Sequence, residues 1–128
     1  TVDRIIDQFP ADRQSQIRVM LSESLKGVVA QILCKKIGGG RVAVREILLG
    51  IPAIANLIRE GKTFQIPSIM QTNKKIGMIT LNDALMDVVE KKLVEPQEAY
   101  VKSADKSGLE GMMKARGIDL GFLKTLGA

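Results

Sequence analysis

Residues 27–50 read GVVAQILCKKIGGGRVAVREILLG, and the fold turns on whether this stretch belongs to one long helix or to two strands. Val28, Val29, Ile32 and Leu33 fit a 3.6-residue period, so a helix begun upstream could continue through Leu33. Against that, the segment is rich in β-branched residues, and Gly38–Gly40 interrupts it before RVAVREILL, where Val42, Val44 and Ile47 suit a strand. Two such runs around a glycine cluster predict a β-hairpin turning at Gly38–Gly40, because the turn needs residues that accept positive φ. The cluster is not a phosphate loop of the G-x-x-x-x-G-K-[ST] kind, since IGGGR leads to Arg41 at a strand entry.

Working outward, Val2, Ile5, Ile6 and Phe9 follow helical spacing and predict a short helix that Pro10 ends. A second helix is expected from Ala11–Asp12, with Ile17, Met20, Leu21 and Leu25 on its stripe and Gly27 at its limit. Beyond the hairpin, IPAIANLIREG (51–61) has Pro52 for a first helical position and Gly61 for a left-handed C-cap, with Ile54, Leu57 and Ile58 on one apolar face. Asn56, Arg59 and Glu60 lie off that face, as either a solvated edge or a working surface. A short helix around Ile66–Gln71 starts near Pro67, and Thr80 with Asp83 resembles a capping box ahead of LNDALMDVVEKKL. Pro96 opens PQEAYVKSA, Ser107 and Glu110 form a second capping box before MMKAR, and Gly117 closes that helix. The tail DLGFLKTLGA has no period and is expected to be loosely attached. The fold class is α+β, mainly helical with a β-hairpin.

At 128 residues and 45% apolar content the chain has the size of one domain. With no Trp, one Tyr and three Phe, its core must be aliphatic, filled out by six Met. The net charge of +5 is spread along the chain and aromatic stacking platforms are lacking, so no nucleic acid is expected as a partner. The absence of histidine excludes triads and His-bearing metal sites. Cys34 alone cannot form an intramolecular disulfide, which fits a cytoplasmic protein, and in its apolar run it reads as a buried small hydrophobe. No apolar run approaches the about 20 residues that span a bilayer. The start, TVDRIIDQFP, has neither an initiator Met nor the order of a signal peptide, and the chain is expected to be cut from something longer.

Taken together, TVDRIIDQFP, QIRVMLSESLKGVVAQILCKKIGGGRVAVREILLG, IPAIANLIREGKTFQIPSIMQT and GMITLNDAL resemble the C-terminal part of the PilT-type retraction ATPases, motors that disassemble type IV pili in twitching motility. The most specific piece is similar to that family's signature helix, AIRNLIRE. Ala53, Ile54, Asn56, Leu57, Ile58, Arg59 and Glu60 match it, and Ala55 stands where the signature has arginine. The resemblance implies that these seven residues serve motor coupling. It also implies the C-terminal part of a RecA-like P-loop ATPase domain, with residues 1–50 completing the RecA-like core and 51–128 forming a helical subdomain. The parent would be a hexamer driven by Mg-ATP, cytoplasmic and peripheral at the inner face of the cytoplasmic membrane, with the pilus platform protein of the inner membrane as partner. The family's nucleotide motifs end just ahead of the segment matching TVDRIIDQFP, so this chain itself is expected to hold no cofactor, metal or catalytic residue. Assembly-type relatives carry a four-cysteine zinc motif near the position of Cys34, which one thiol cannot build. A different reading, a free-standing basic helical adaptor that binds proteins, predicts a start codon near Thr1 instead of an upstream phosphate loop.

Overall fold

A computed structural model describes residues 2–125. The decisive stretch is a hairpin: β1 (Gly27–Lys35) and β2 (Arg41–Leu49) form a two-stranded antiparallel sheet. The turn uses Gly38, Gly39 and Gly40 at φ of +89°, +113° and +76°, values that L side chains rarely adopt. The helical alternative fails at Leu25, whose N–H still closes on the Leu21 carbonyl at 2.9 Å but whose own backbone is already extended. From there burial alternates with period two. Val28, Ala30, Ile32 and Cys34 turn inward, while Val29, Gln31, Leu33 and Lys35 stay exposed.

Among the described residues eight α-helices accompany the hairpin: α1 (Val2–Asp7), α2 (Gln14–Ser24), α3 (Pro52–Arg59), α4 (Ile66–Thr72), α5 (Leu81–Glu90), α6 (Pro96–Lys102), α7 (Lys106–Ala115) and the single turn α8 (Phe122–Thr125). The first is shorter than its spacing predicts, leaving Phe9 outside it, and the second begins with a 3-10 turn at Ala11–Arg13. The chain divides into two compact units, one made of residues up to Ala30 with Glu46–Thr80, the other of Gln31–Arg45 with the chain from Leu81 onward. Residues near the base of the hairpin share a core with α1, α3 and α4, whereas Cys34 and Val44 share one with α5, α6 and α7.

In the first unit Val2, Ile6, Leu48, Ile54, Leu57, Ile58, Ile66, Met70 and Met78 form the core. Ile47 and Ile79 exchange backbone hydrogen bonds of 2.9 and 3.0 Å as an isolated antiparallel bridge. In the second, Leu85, Met86, Leu109 and Met113 are fully buried, so methionine does fill space that aromatics would otherwise occupy. The amide of Asn82 donates to the Asp105 carbonyl at 3.0 Å and its oxygen accepts from the buried Ser103 hydroxyl at 2.7 Å, tying α5 to the α6–α7 connection. The cap of α7 is Asp105, whose carboxylate accepts from the Gly108 N–H at 3.1 Å. Ser107 lies inside the helix rather than at its boundary, because the Asp two residues earlier offers a capping oxygen first. The tail is attached more firmly than its lack of period predicts: Ile118, Leu120 and Phe122 pack on the core, and the Phe122 ring meets Tyr100 edge-on at 5.6 Å. Its last three residues, 126–128, lie outside the described part.

Candidate functional site

The signature-like helix α3 is built as its sequence predicts, with Pro52 in its first turn and Gly61 just past its end at φ +71°. The Gly61 N–H donates to the Ile58 carbonyl at 3.2 Å and the Lys62 N–H to the Leu57 carbonyl at 2.8 Å. This pair of bonds is a Schellman closure, which satisfies the last carbonyls and sets the exit of the chain. Ile54 and Ile58 have no exposed surface and Leu57 only 9%. The helix is thereby seated in the first unit's core along its whole length.

The seven signature-like residues fall into two sets. Ile54, Leu57 and Ile58 are footing. Ala53, Asn56, Arg59 and Glu60 are exposed, and Ala55 is half-buried. Along the exposed edge the Arg59 guanidinium donates through Nη1 to Asn56 Oδ1 at 2.9 Å, a bond between residues one turn apart. Glu60 lies 3.4 Å from Lys62 Nζ, with both side chains more than half exposed, a pair that contributes at most about 1 kcal/mol. Arg59 and Glu60 thus have separate local partners and do not pair with each other.

Two long-range contacts at this helix have no signal in the sequence, because they join residues far apart along the chain. Arg18 of α2 lies against Gly61, its Nε 3.6 Å from where a β-carbon would stand, so a cation sits at the negative end of α3. Thr63 donates its hydroxyl to the carboxylate of Asp3 in α1 at 2.9 and 3.0 Å. Elsewhere Cys34 is fully buried, and burial pushes its thiol up, helped by the neighbouring Glu98 carboxylate and opposed by Lys102. That places it among packing residues rather than nucleophiles. Among the described residues no group of His, Cys, Asp or Glu could hold a metal ion, and no helix is long and apolar enough to cross a membrane.

No family model matches the chain. It is 50% identical over 103 residues to the type IV pilus retraction ATPase PilT of Pseudomonas aeruginosa, covering 80% of this chain and 30% of that protein. It is 49% identical over 110 residues to a twitching motility protein of Neisseria gonorrhoeae, covering 85% of this chain and 29% of the relative. A crystal structure of the pilus retraction motor PilT with bound ADP superposes with a TM-score of 0.75 at 40% identity, over 87% of this chain and 31% of that one. The chain therefore spans less than a third of the length of each protein it matches here. Half of the aligned residues are shared with a retraction ATPase and the fold of its C-terminal part is reproduced, so the chain is a homologue of the C-terminal part of the PilT-type retraction ATPases.

Proposed function

We propose that this chain is the C-terminal segment of an ATP-driven motor that retracts type IV pili, and that its own share of the work is coupling and subunit contact through α3. The observation that carries this reading is the division of α3 into a buried footing and an exposed edge of Ala53, Asn56, Arg59 and Glu60, along which Arg59 is held on Asn56. To the helix alone the Arg59–Asn56 bond is worth only about 0.2–0.5 kcal/mol, so its larger effect is to fix the guanidinium at the surface. Held so, the guanidinium is pre-ordered for a carboxylate or carbonyl on a neighbouring body, and less side-chain entropy is lost on contact.

On this reading Mg-ATP is bound by parts of the protein outside this chain, which has no phosphate loop. The motor works as a hexamer in the cytoplasm, peripheral at the inner face of the cytoplasmic membrane, and its partner there is the pilus platform protein. The solved relative with bound ADP and the relatives named for retraction and twitching support this.

The test uses the full-length motor. Arg59→Ala and Glu60→Ala leave the fold nearly untouched, since exposed charges contribute only about 0–1 kcal/mol, yet impair pilus retraction. Normal twitching by both variants and by their double, at normal protein levels, would return α3 to the role of a capped core helix. Reading the coding sequence upstream of residue 1 is the companion check, with an in-frame phosphate loop expected there.

A further inference from the structure

We propose that the hairpin tip, together with Lys92 beside it, is a docking surface for a membrane containing anionic phospholipid. The tip carries Lys35, Lys36 and Arg41, all exposed and none in an ion pair among the described residues. Between them Ile37 is 44% exposed, and the three glycines that follow have nothing within 4 Å of the positions where β-carbons would stand. An exposed apolar side chain with cations close by at an uncovered turn is the arrangement that suits a headgroup layer, where the aliphatic group sinks toward the acyl boundary and the cations meet phosphate.

The tip is held in place rather than loose. Its Lys36 N–H donates to the Gly40 carbonyl at 2.9 Å, and the Ile37 N–H donates to the Leu93 carbonyl at 2.8 Å. The second bond brings in Lys92, which lines the same concavity as Ile37. Lys92 sits at the left-handed position that closes α5, at φ +58°, with its N–H on the Val89 carbonyl and the Leu93 N–H on the Val88 carbonyl, both at 3.0 Å. Glycine is the usual residue there, because any side chain is strained. Lysine at that point adds a fourth cation to those near Ile37. The nearby carboxylates do not cancel it: Glu90 is paired with Arg116, which leaves Glu95 and Glu98, the latter accepting the Lys35 N–H at 2.6 Å, against four cations.

The inference deepens the peripheral location proposed above and requires no motor activity to hold. It is tested by co-sedimenting the full-length protein with vesicles of phosphatidylcholine, with and without phosphatidylglycerol. Binding is expected only to the anionic vesicles and weakens as salt shortens the reach of the charges. Each cation near an anionic surface is worth about fivefold in partitioning, so Lys36→Gln with Arg41→Gln lowers the partition coefficient about thirtyfold. Ile37→Asn lowers it at every salt concentration without changing the salt slope. Circular dichroism and nucleotide hydrolysis serve as checks that the variants fold. Equal binding to neutral vesicles, or unchanged binding by the double variant, overturns the proposal. So does a protein that stays in the supernatant while the tip variants lose retraction, which would assign the tip to an acidic protein partner. Arg59→Ala and Glu60→Ala retain vesicle binding, so failure of the coupling reading and failure of this one are told apart.

Discussion

Glu46 of β2 lines a concavity with Val28, Leu48, Ile66 and Pro67, and burial pushes its carboxyl above the ordinary range. The folded state therefore holds the proton more tightly than the unfolded chain does. Stability from this group is full below the ordinary carboxylate value, about pH 4.3, and is lost as pH rises through the higher folded value. Glu46→Gln, which mimics the protonated form, is expected to raise the urea midpoint at pH 7.5 and to make no difference near pH 4; an equal effect at both would mean that the carboxylate is not desolvated. Lys92 makes the second residue-scale case. An L side chain in the left-handed region costs about 1–2 kcal/mol, part of which glycine gives back through its freer unfolded chain, so Lys92→Gly is expected to stabilise by about 0.5–1 kcal/mol. A lower urea midpoint in Lys92→Gly would show that the lysine side chain holds the turn by contacts of its own.

At the scale of elements, α3 separates footing from edge most sharply. Leu57→Ala removes a buried side chain from a core of Ile, Leu, Val and Met, and is expected to cost about 2–5 kcal/mol, read as a fall in the urea midpoint. An unchanged midpoint would place the helix on another face. The elements also divide by how much of them the sequence discloses. The hairpin and α3 are legible because each is fixed locally: glycines at the turn, period-two burial, a proline at the start and a glycine at the close. The start of α7 is misread because two capping residues compete within three positions, and Asp105 wins by its contact with Gly108. The tail is misread because its attachment is tertiary, through the Phe122 ring on Tyr100 and the apolar pair Ile118 and Leu120, and no periodicity announces such contacts. Of the α3 surroundings, Arg18 and Asp3 are invisible in sequence for the same reason.

For the whole molecule, a chain with no loop to cradle β- and γ-phosphates is expected to hydrolyse no ATP by itself. Turnover that co-purifies with the 128-residue chain through several columns would contradict this. The aliphatic and methionine core anticipated from composition is present in both units, with Met70 and Met78 in one and Met86 and Met113 in the other. The clasp between Thr63 and Asp3 has a mechanical consequence. Ile54 and Ile58 are wedged in a close-packed interior, which yields little, and the glycine closure fixes where the chain leaves the helix. A push on Arg59 cannot be absorbed by swivelling α3 without opening the core. On the coupling role proposed above, such a load would reach Thr63, four residues on, and its bond to the carboxylate of α1, so the helix would act as a strut braced at the end that is pushed and not as a spring.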